Sequence, residues 1–215
     1  MQRRSIMLFI FVLLALGSAS AVEAASGTYV ALKGGLFLPN GQGGSVASSE
    51  DGFSSFSTGY NVEVAAGFRP ESYAALELGS GYYATSLDVA NLQIPSATRI
   101  DAYAVPITLT AKGILPLGEL EFFAGAGLGY WFGQLHFKNA GIVGGAAQVK
   151  DVNAGALGYQ VLGGADYRVS EAVNLGVEAK WVFAKPEFDF TDITGHKVKW
   201  QIGGTTINLV AKYNF

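Results

Sequence analysis

Half of the 215 residues are hydrophobic, only 14% are charged, and the chain contains 29 glycines and no cysteine. The length fits one large all-β domain. The net charge of −3 is too small to indicate nucleic acid or another polyanion as a partner. The lack of cysteine excludes a disulfide framework and any thiolate site. Beyond the N-terminus no apolar run approaches the roughly 18 residues that a membrane helix needs, so alternation must disperse the hydrophobic residues.

The first segment has the three parts of a secretory signal peptide. Two arginines precede a short apolar stretch, and small residues then allow cleavage near Ala21 or Ala24. We therefore predict that residues 1–24 are a signal peptide and that residues 25–215 form the exported domain. A retained membrane anchor is the alternative.

After this segment, apolar residues alternate with polar or small ones at a period of two, and no long segment has the period of a helix. Such alternation is typical of strands with two different faces. It predicts eight strands, at 28–38, 60–69, 76–83, 103–112, 120–133, 157–168, 173–183 and 207–215.

The connections between these strands alternate in length. Long segments rich in glycine and polar residues alternate with short ones, and even-stranded outer-membrane barrels arrange extracellular loops and periplasmic turns in this way. We predict an all-β, eight-stranded antiparallel transmembrane β-barrel with four long extracellular loops and three short periplasmic turns. The loops are expected at 39–57, 85–98, 134–151 and 184–198, and the turns at 69–72, 113–118 and 169–171.

The volumes of the two faces decide which one points inward. The apolar faces carry more aromatic rings than the interior of an eight-stranded barrel can hold beside its aliphatic side chains. The polar faces are rich in glycine and alanine, and their charges have both signs, so they can pair where they are buried. We predict that the polar faces point inward, with the charges of Glu63, Arg69, Glu77, Lys112, Glu121, Asp166, Arg168, Glu178, Lys180 and Lys212.

Two pairs of these charges are close in sequence. Glu178 and Lys180 lie two positions apart, as do Asp166 and Arg168, so each pair shares a strand face. We expect such pairs to form a salt-bridged plug. The alternative is that they line an ion path, although eight strands leave little room for an aqueous channel.

The stretch FFAGAGLGYWFG, residues 122–133, places three glycines at every second position. A phosphate-binding Gly-x-Gly-x-x-Gly loop does not fit, because the third position falls on Tyr130 and no helix follows. We predict that Gly125, Gly127 and Gly129 face a packed lumen. A role in curving the strand is the alternative, compatible with the first.

Three segments carry a resemblance to a known family. The final strand, TTINLVAKYNF, ends in Phe215 and resembles the C-terminal signature by which outer-membrane barrels are recognised for assembly. YVALKGGLFLP and PITLTAKGILPLGELEFFAGAGLGYWFG are similar to the small OmpA/OmpX-type outer-membrane β-barrel family. The resemblance implies location in the outer membrane of a Gram-negative cell, lipid as a partner, contact of the strand ending at Phe215 with the barrel assembly machinery, and a monomer.

Three classes of function compete. The first is a non-enzymatic barrel with a structural or surface-interaction role through its long loops, and the second is a narrow conduit for small molecules, as OmpW-type relatives imply. The third, an outer-membrane lipid-modifying enzyme, needs a catalytic set near the rim, and the chain has only His136 and His196, each in a predicted loop. Asp189 and Asp192 lie near His196, but loop residues of this kind are usually solvated. We predict no catalytic residue, no cofactor and no metal site.

Overall fold

The computed structural model describes residues 27–39, 57–88, 99–138, 152–184, 187–189, 197–199 and 203–215. The predicted signal peptide, residues 1–24, lies outside them and stays a prediction. No helix among the described residues is long and apolar enough to cross a membrane.

The described residues form ten strands, eight of which close into a barrel in the order β1-β10-β7-β6-β5-β4-β3-β2. Every neighbouring pair is antiparallel, and a closed barrel leaves no unpaired sheet edge to face lipid. The predicted fold class is confirmed. The strands are β1 (Thr28–Pro39), β2 (Gly59–Glu71), β3 (Ala74–Asp88), β4 (Arg99–Leu117), β5 (Leu120–Lys138), β6 (Val152–Arg168), β7 (Val173–Ala184), β8 (Glu187–Asp189), β9 (Lys197–Lys199) and β10 (Gly204–Asn214).

Burial separates the two faces of every barrel strand. Lys33 and Glu178 are each 1% exposed inside the barrel, whereas Leu128 and Leu209 are 70% and 73% exposed on its outer surface. A soluble barrel would have the opposite arrangement, with its apolar face inside. The prediction that the polar faces point inward is therefore confirmed.

Aromatic side chains on the outer surface form two girdles. On β2, β5 and β6 a lower ring and an upper ring are separated by eight positions, with only aliphatic residues and glycine between them on that face. At about 3.3 Å per residue and a strand tilt of about 40°, this spacing corresponds to roughly 20 Å along the membrane normal. That distance is close to the height of about 25 Å of the apolar band in an outer-membrane barrel. The pairs are Phe68 and Tyr60, Phe122 and Tyr130, and Tyr167 and Tyr159.

Four strands continue well beyond the upper girdle. β3 runs to Asp88, β4 starts at Arg99, β5 reaches Lys138 and β6 starts at Val152, so these strands are longer than predicted. Their backbone ladder persists where the alternation is reversed, because Gln134 and His136 lie on the outer face of β5 and the apolar Leu135 is buried on the inner face. The sequence pattern did not reveal these segments because it was read for apolar residues on the outer face. We call the paired segments 84–88, 99–103 and 134–138 the projecting sheet.

The opposite wall is shorter, because β1, β2, β7 and β10 end or begin near the upper girdle. The predicted loop at 184–198 also contains regular structure, since β8 and β9 pair as a separate two-stranded sheet.

The lower end of the barrel is closed by tight turns. β4 continues to Leu117, so the predicted turn at 113–118 is wrong in extent, and only Gly118 and Glu119 connect β4 to β5. Gly118 has a φ of 68°, in the left-handed region that glycine adopts without a steric penalty. Tyr29 pairs with Asn214, so the described chain starts and ends at this same end of the barrel.

Candidate functional site

The interior of the barrel is the most chemically distinctive part of the described chain. Side chains from β1, β2, β3, β4 and β7 meet there in one cluster of buried charges. Three are lysines and three are glutamates, so the cluster is electrically balanced. We call this cluster the central network; it consists of Lys33, Glu63, Glu77, Lys112, Glu178 and Lys180.

Four of its members form a closed ring. Lys33 Nζ donates to Glu77 Oε1 over 2.7 Å and to Glu178 Oε2 over 3.0 Å. Lys112 Nζ donates to the same two carboxylates, over 2.7 Å to Glu77 Oε2 and 3.2 Å to Glu178 Oε2. Each charge is therefore held by two opposite charges, which offsets the cost of removing it from water.

The network continues upward through Lys180. Its Nζ lies 3.6 Å from Glu178 Oε1 and donates to Glu63 Oε2 over 2.5 Å. The expected pairing of Glu178 with Lys180 is therefore present, as one link of a larger assembly.

Neutral groups complete the hydrogen bonding of two carboxylates. The hydroxyl of Tyr29 donates to Glu77 over 2.9 Å, and that of Tyr83 donates to Glu63 over 2.8 Å. Sequence reasoning missed this role of the two tyrosines, although both have the inward phase of their strands. Charge-assisted hydrogen bonds of this kind are the stronger ones in proteins. Tyrosine hydroxyls as well as lysine ammonium groups therefore hold the carboxylates of Glu63 and Glu77 in place.

A second set of ion pairs lies toward the lower end. Asp166 of β6 pairs with Lys212 of β10 over the intervening strand β7. The guanidinium of Arg69 donates to both oxygens of Glu121, each over 3.1 Å. The expected pairing of Asp166 with Arg168 is wrong. Arg168 extends to the rim, where its Nη2 lies 3.4 Å from Glu121, so sharing a strand face did not bring it to Asp166.

Aromatic and ionic groups leave little space around these pairs. The ring of Phe123 lies between two ammonium groups, with its centroid 4.9 Å from Lys112 Nζ and 4.7 Å from Lys212 Nζ. Tyr29, Arg69 and Phe123 help to line a cavity of about 10 Å³ here, room for about one water molecule.

Aromatic side chains fill the lumen above the central network. Phe37 and Tyr83 pack edge to face with ring centroids 5.2 Å apart. Trp131 is 1% exposed and packs in a buried cluster with Val182 and Ala184. The described part of the lumen is therefore occupied from its lower end to its upper aromatic layer.

The three glycines of β5 lie against this filled interior, as predicted. A Cβ atom at Gly127 would lie 2.6 Å from both the carbonyl oxygen of Leu109 and Oγ1 of Thr110. At Gly125 and at Gly129 the nearest backbone oxygen of β4 would also lie 2.6 Å away. β5 thus approaches β4 so closely that its lumen side admits only glycine at these positions.

The ladder between β3 and β4 is interrupted at one point. Ser80 pairs with Ile107 and Tyr83 with Ala104, but the positions between them are unpaired. Pro106 has no N–H to donate, and its carbonyl oxygen instead accepts a hydrogen bond of 2.9 Å from the Ser80 hydroxyl. The ladder between β3 and β4 therefore has a gap beside Pro106.

The histidines do not form a catalytic set among the described residues. His136 was expected in a loop, but it lies within β5 with its side chain exposed on the outer face, because β5 extends beyond the predicted end of the strand. His196 and Asp192 lie outside the described residues, and Asp189 belongs to β8. The described segments contain no group of three or more side chains that would hold a metal ion.

Comparisons with known proteins agree with this architecture. A family model described as "Outer membrane protein beta-barrel domain" matches residues 9–215, whereas no curated protein matches the chain. Neisserial surface protein A has a similar structure, with a TM-score of 0.60 and 17% identity over 90% of this chain and 100% of its own.

Two further crystal structures are similar. The outer membrane protein OprG of Pseudomonas aeruginosa gives a TM-score of 0.62 and 14% identity over 88% of this chain and 96% of its own. A major outer membrane protein of Thermus thermophilus gives 0.51 and 14%, over 88% and 100%. At such identities the likeness shows the fold alone.

Proposed function

We propose that this chain acts as a non-enzymatic, non-conducting barrel in the outer membrane. The chain belongs to the outer membrane protein β-barrel domain family and is a protein of the Gram-negative outer membrane. In this proposal its lumen is a structural plug. The role of the protein is exerted at the cell surface, by the segments that connect the strands at the upper end.

The central network is the observation that carries this proposal. Lys33 and Lys112 bridge Glu77 and Glu178 at distances of 2.7–3.2 Å, and all four side chains are at most 4% exposed. Hydrated ions would have to break these contacts to pass. Removing one partner from a buried pair costs about 3–5 kcal/mol, so spontaneous opening would be rare.

The upper end of the barrel offers the surface for recognition. The segments 40–58, 89–98, 139–151 and 185–203 connect strands at that end, which is the extracellular end in outer-membrane barrels. Loops held by a rigid scaffold are the usual place for binding residues. The name of Neisserial surface protein A places that similar barrel at a cell surface, in keeping with this role.

Conductance across a planar lipid bilayer tests the closed lumen. We expect the purified wild-type protein to leave the membrane as resistant to ions as a protein-free bilayer. The double variant Lys33→Ala, Glu178→Ala, which removes both charges of one bridge, should raise conductance. Stable channels formed by the wild-type protein would contradict the plug.

An epitope tag inserted at position 145 tests the surface role. Antibody should bind intact cells that carry the tagged protein, whereas a tag in the periplasmic turn after Ser170 should need permeabilised cells. Equal labelling of both tags on intact cells, or of neither, would contradict the proposal.

A narrow conduit for small apolar molecules is the second candidate function, and the interruption beside Pro106 favours it. A weak point in the wall would let an apolar molecule leave sideways into lipid. Pro106→Val restores an N–H to the ladder and should reduce such uptake into lipid vesicles. If wild-type protein does not accelerate uptake of any apolar probe, this candidate is removed.

A further inference from the structure

The outer surface at the base of the projecting sheet carries a cluster of tyrosines. The rings of Tyr82 and Tyr103 stack with centroids 5.7 Å apart and an angle of 25° between their planes. Tyr60 on the neighbouring strand is 56% exposed. These rings belong to the upper girdle, where aromatic side chains mark the boundary between acyl chains and headgroups.

Polar groups on the same outer face continue above the rings. The hydroxyl of Tyr103 donates over 3.2 Å to Oδ2 of Asp101, whose side chain is buried and so holds the phenol in place. Asp101 pairs in register with His136, and Tyr103 with Gln134. The outer wall here changes within two residues from aromatic to hydrogen-bonding, while the sheet itself continues without a break.

The height of this face in the membrane indicates what covers it. Because the girdle lies at the top of the apolar band, residues above it on the outer face lie among the headgroups of the outer leaflet. We propose that Tyr60, Tyr82, Tyr103 and His136, which we call the tyrosine patch, bind the saccharide headgroup of the outer-leaflet glycolipid. The surface is continuous with the lipid-facing band, so its occupant is a lipid rather than a soluble partner.

The chemistry of the patch suits a sugar. Tyrosine combines an apolar ring with a polar tip and is favoured where one side is apolar and the other wet, so its ring can pack on the C–H face of a sugar. Imidazole and phenol groups together accept and donate the hydrogen bonds that sugar hydroxyls need. The headgroups of phosphatidylethanolamine and phosphatidylglycerol have no ring to stack and few hydroxyls to bind.

The other side of the barrel provides a matched control. Tyr159 and Phe183 also stack on the outer surface, with centroids 4.8 Å apart and an angle of 16°. Phe183 lies next to Ala184, where β7 ends, and above Tyr159 the outer face of β6 carries Leu157 and Gly155. This pair has the ring chemistry of the patch without its polar continuation.

The experiment compares two double variants in vesicles of phosphatidylethanolamine and phosphatidylglycerol, with and without rough lipopolysaccharide. Bound lipopolysaccharide is counted by native mass spectrometry after extraction. Tyr82→Ala with Tyr103→Ala should weaken lipopolysaccharide binding by about twofold to twelvefold, the equivalent of one aromatic contact of ~0.5–1.5 kcal/mol. Tyr159→Ala with Phe183→Ala should leave binding unchanged. Equal loss in both variants, or no loss in either, would overturn the proposal.

A second measurement uses the wild-type protein and does not depend on whether a variant folds. Lipopolysaccharide should protect Tyr82 and Tyr103 from oxidative labelling more than it protects Tyr159. Equal protection of all three would mean that the glycolipid coats the girdle uniformly, and the patch would then be no binding site.

Discussion

The close packing of β5 against β4 makes Gly127 the sharpest test of the barrel interior. A Cβ atom there would lie 2.6 Å from the carbonyl oxygen of Leu109 and 3.0 Å from the Cα of Thr110. Both are backbone atoms of a strand fixed by its ladder, so no side-chain rotation relieves the contact. β4 would have to retreat by most of an ångström.

We therefore expect Gly127→Leu to lower the free energy of unfolding by about 1–3 kcal/mol, the usual cost of overpacking. The matched control is the adjacent Ala126, whose side chain is exposed on the lipid face. Ala126→Leu should have little effect, because the added groups contact acyl chains. Ala126→Arg should cost on the order of 2–4 kcal/mol if it lies near the middle of the bilayer.

Reversible unfolding by urea in lipid vesicles measures all three variants. Tryptophan emission reports the transition, since Trp131 is buried in the lumen and Trp181 is 43% exposed on the outer surface. A harmless Gly127→Leu together with a damaging Ala126→Leu would mean that the two faces are inverted. If both leucines are harmless, the lumen is wider than the packing indicates, and the conduit becomes the better explanation.

Three further predictions concern the network, assembly and export. Glu178→Ala removes a carboxylate shared by Lys33 and Lys112 and should lower the free energy of unfolding in the same urea assay by about 3–5 kcal/mol. The control Glu119→Ala, at a side chain 60% exposed, should lower it by at most about 1 kcal/mol. Equal losses would contradict a structural network. Deleting Phe215 should reduce the heat-modifiable folded band in outer-membrane fractions, since we propose that the final strand engages the barrel assembly machinery, and unchanged assembly at normal expression would refute this. The intact mass of the membrane form should be roughly 2–3 kDa below that of the full chain, as expected for a cleaved signal peptide; a protein that still starts at Met1 would disprove cleavage.

Sequence alone predicted the faces of the barrel because lipid and a narrow lumen demand opposite residue types. Leu128 and Gly127 are neighbours in the chain, yet their positions require opposite residues. Leu128 faces lipid and must be apolar, whereas position 127 faces the packed lumen and has no room for a side chain. Wherever both environments act on a strand, the alternation is strong enough to read directly.

The same reasoning failed where one of those constraints ends. Above the girdle the outer face of β4 and β5 no longer meets acyl chains, so the alternation around Asp101 and His136 is reversed, with polar residues outside and Leu135 buried inside. A search for strands with an apolar outer face therefore missed these segments. The true partner of Asp166 was missed for another reason. Lys212 lies on β10 and Asp166 on β6, and the pairing of both strands with β7 brings the two side chains together, a relation that sequence spacing within one strand does not contain.

The arrangement of the central network also has a consequence for the order of events during assembly. Lys33 of β1 and Glu178 of β7 are 145 positions apart, and β10 lies between the two strands, so their bridge cannot form until β1 pairs with β10 and closes the barrel. Before that moment Lys33 and Lys112 would each lack one of their two carboxylates, that of Glu178, and uncompensated charge is expensive within a bilayer. An open sheet therefore has a higher free energy in lipid than the closed barrel. The charges that stabilise the mature barrel thus also disfavour insertion of the strands into the membrane before the barrel closes.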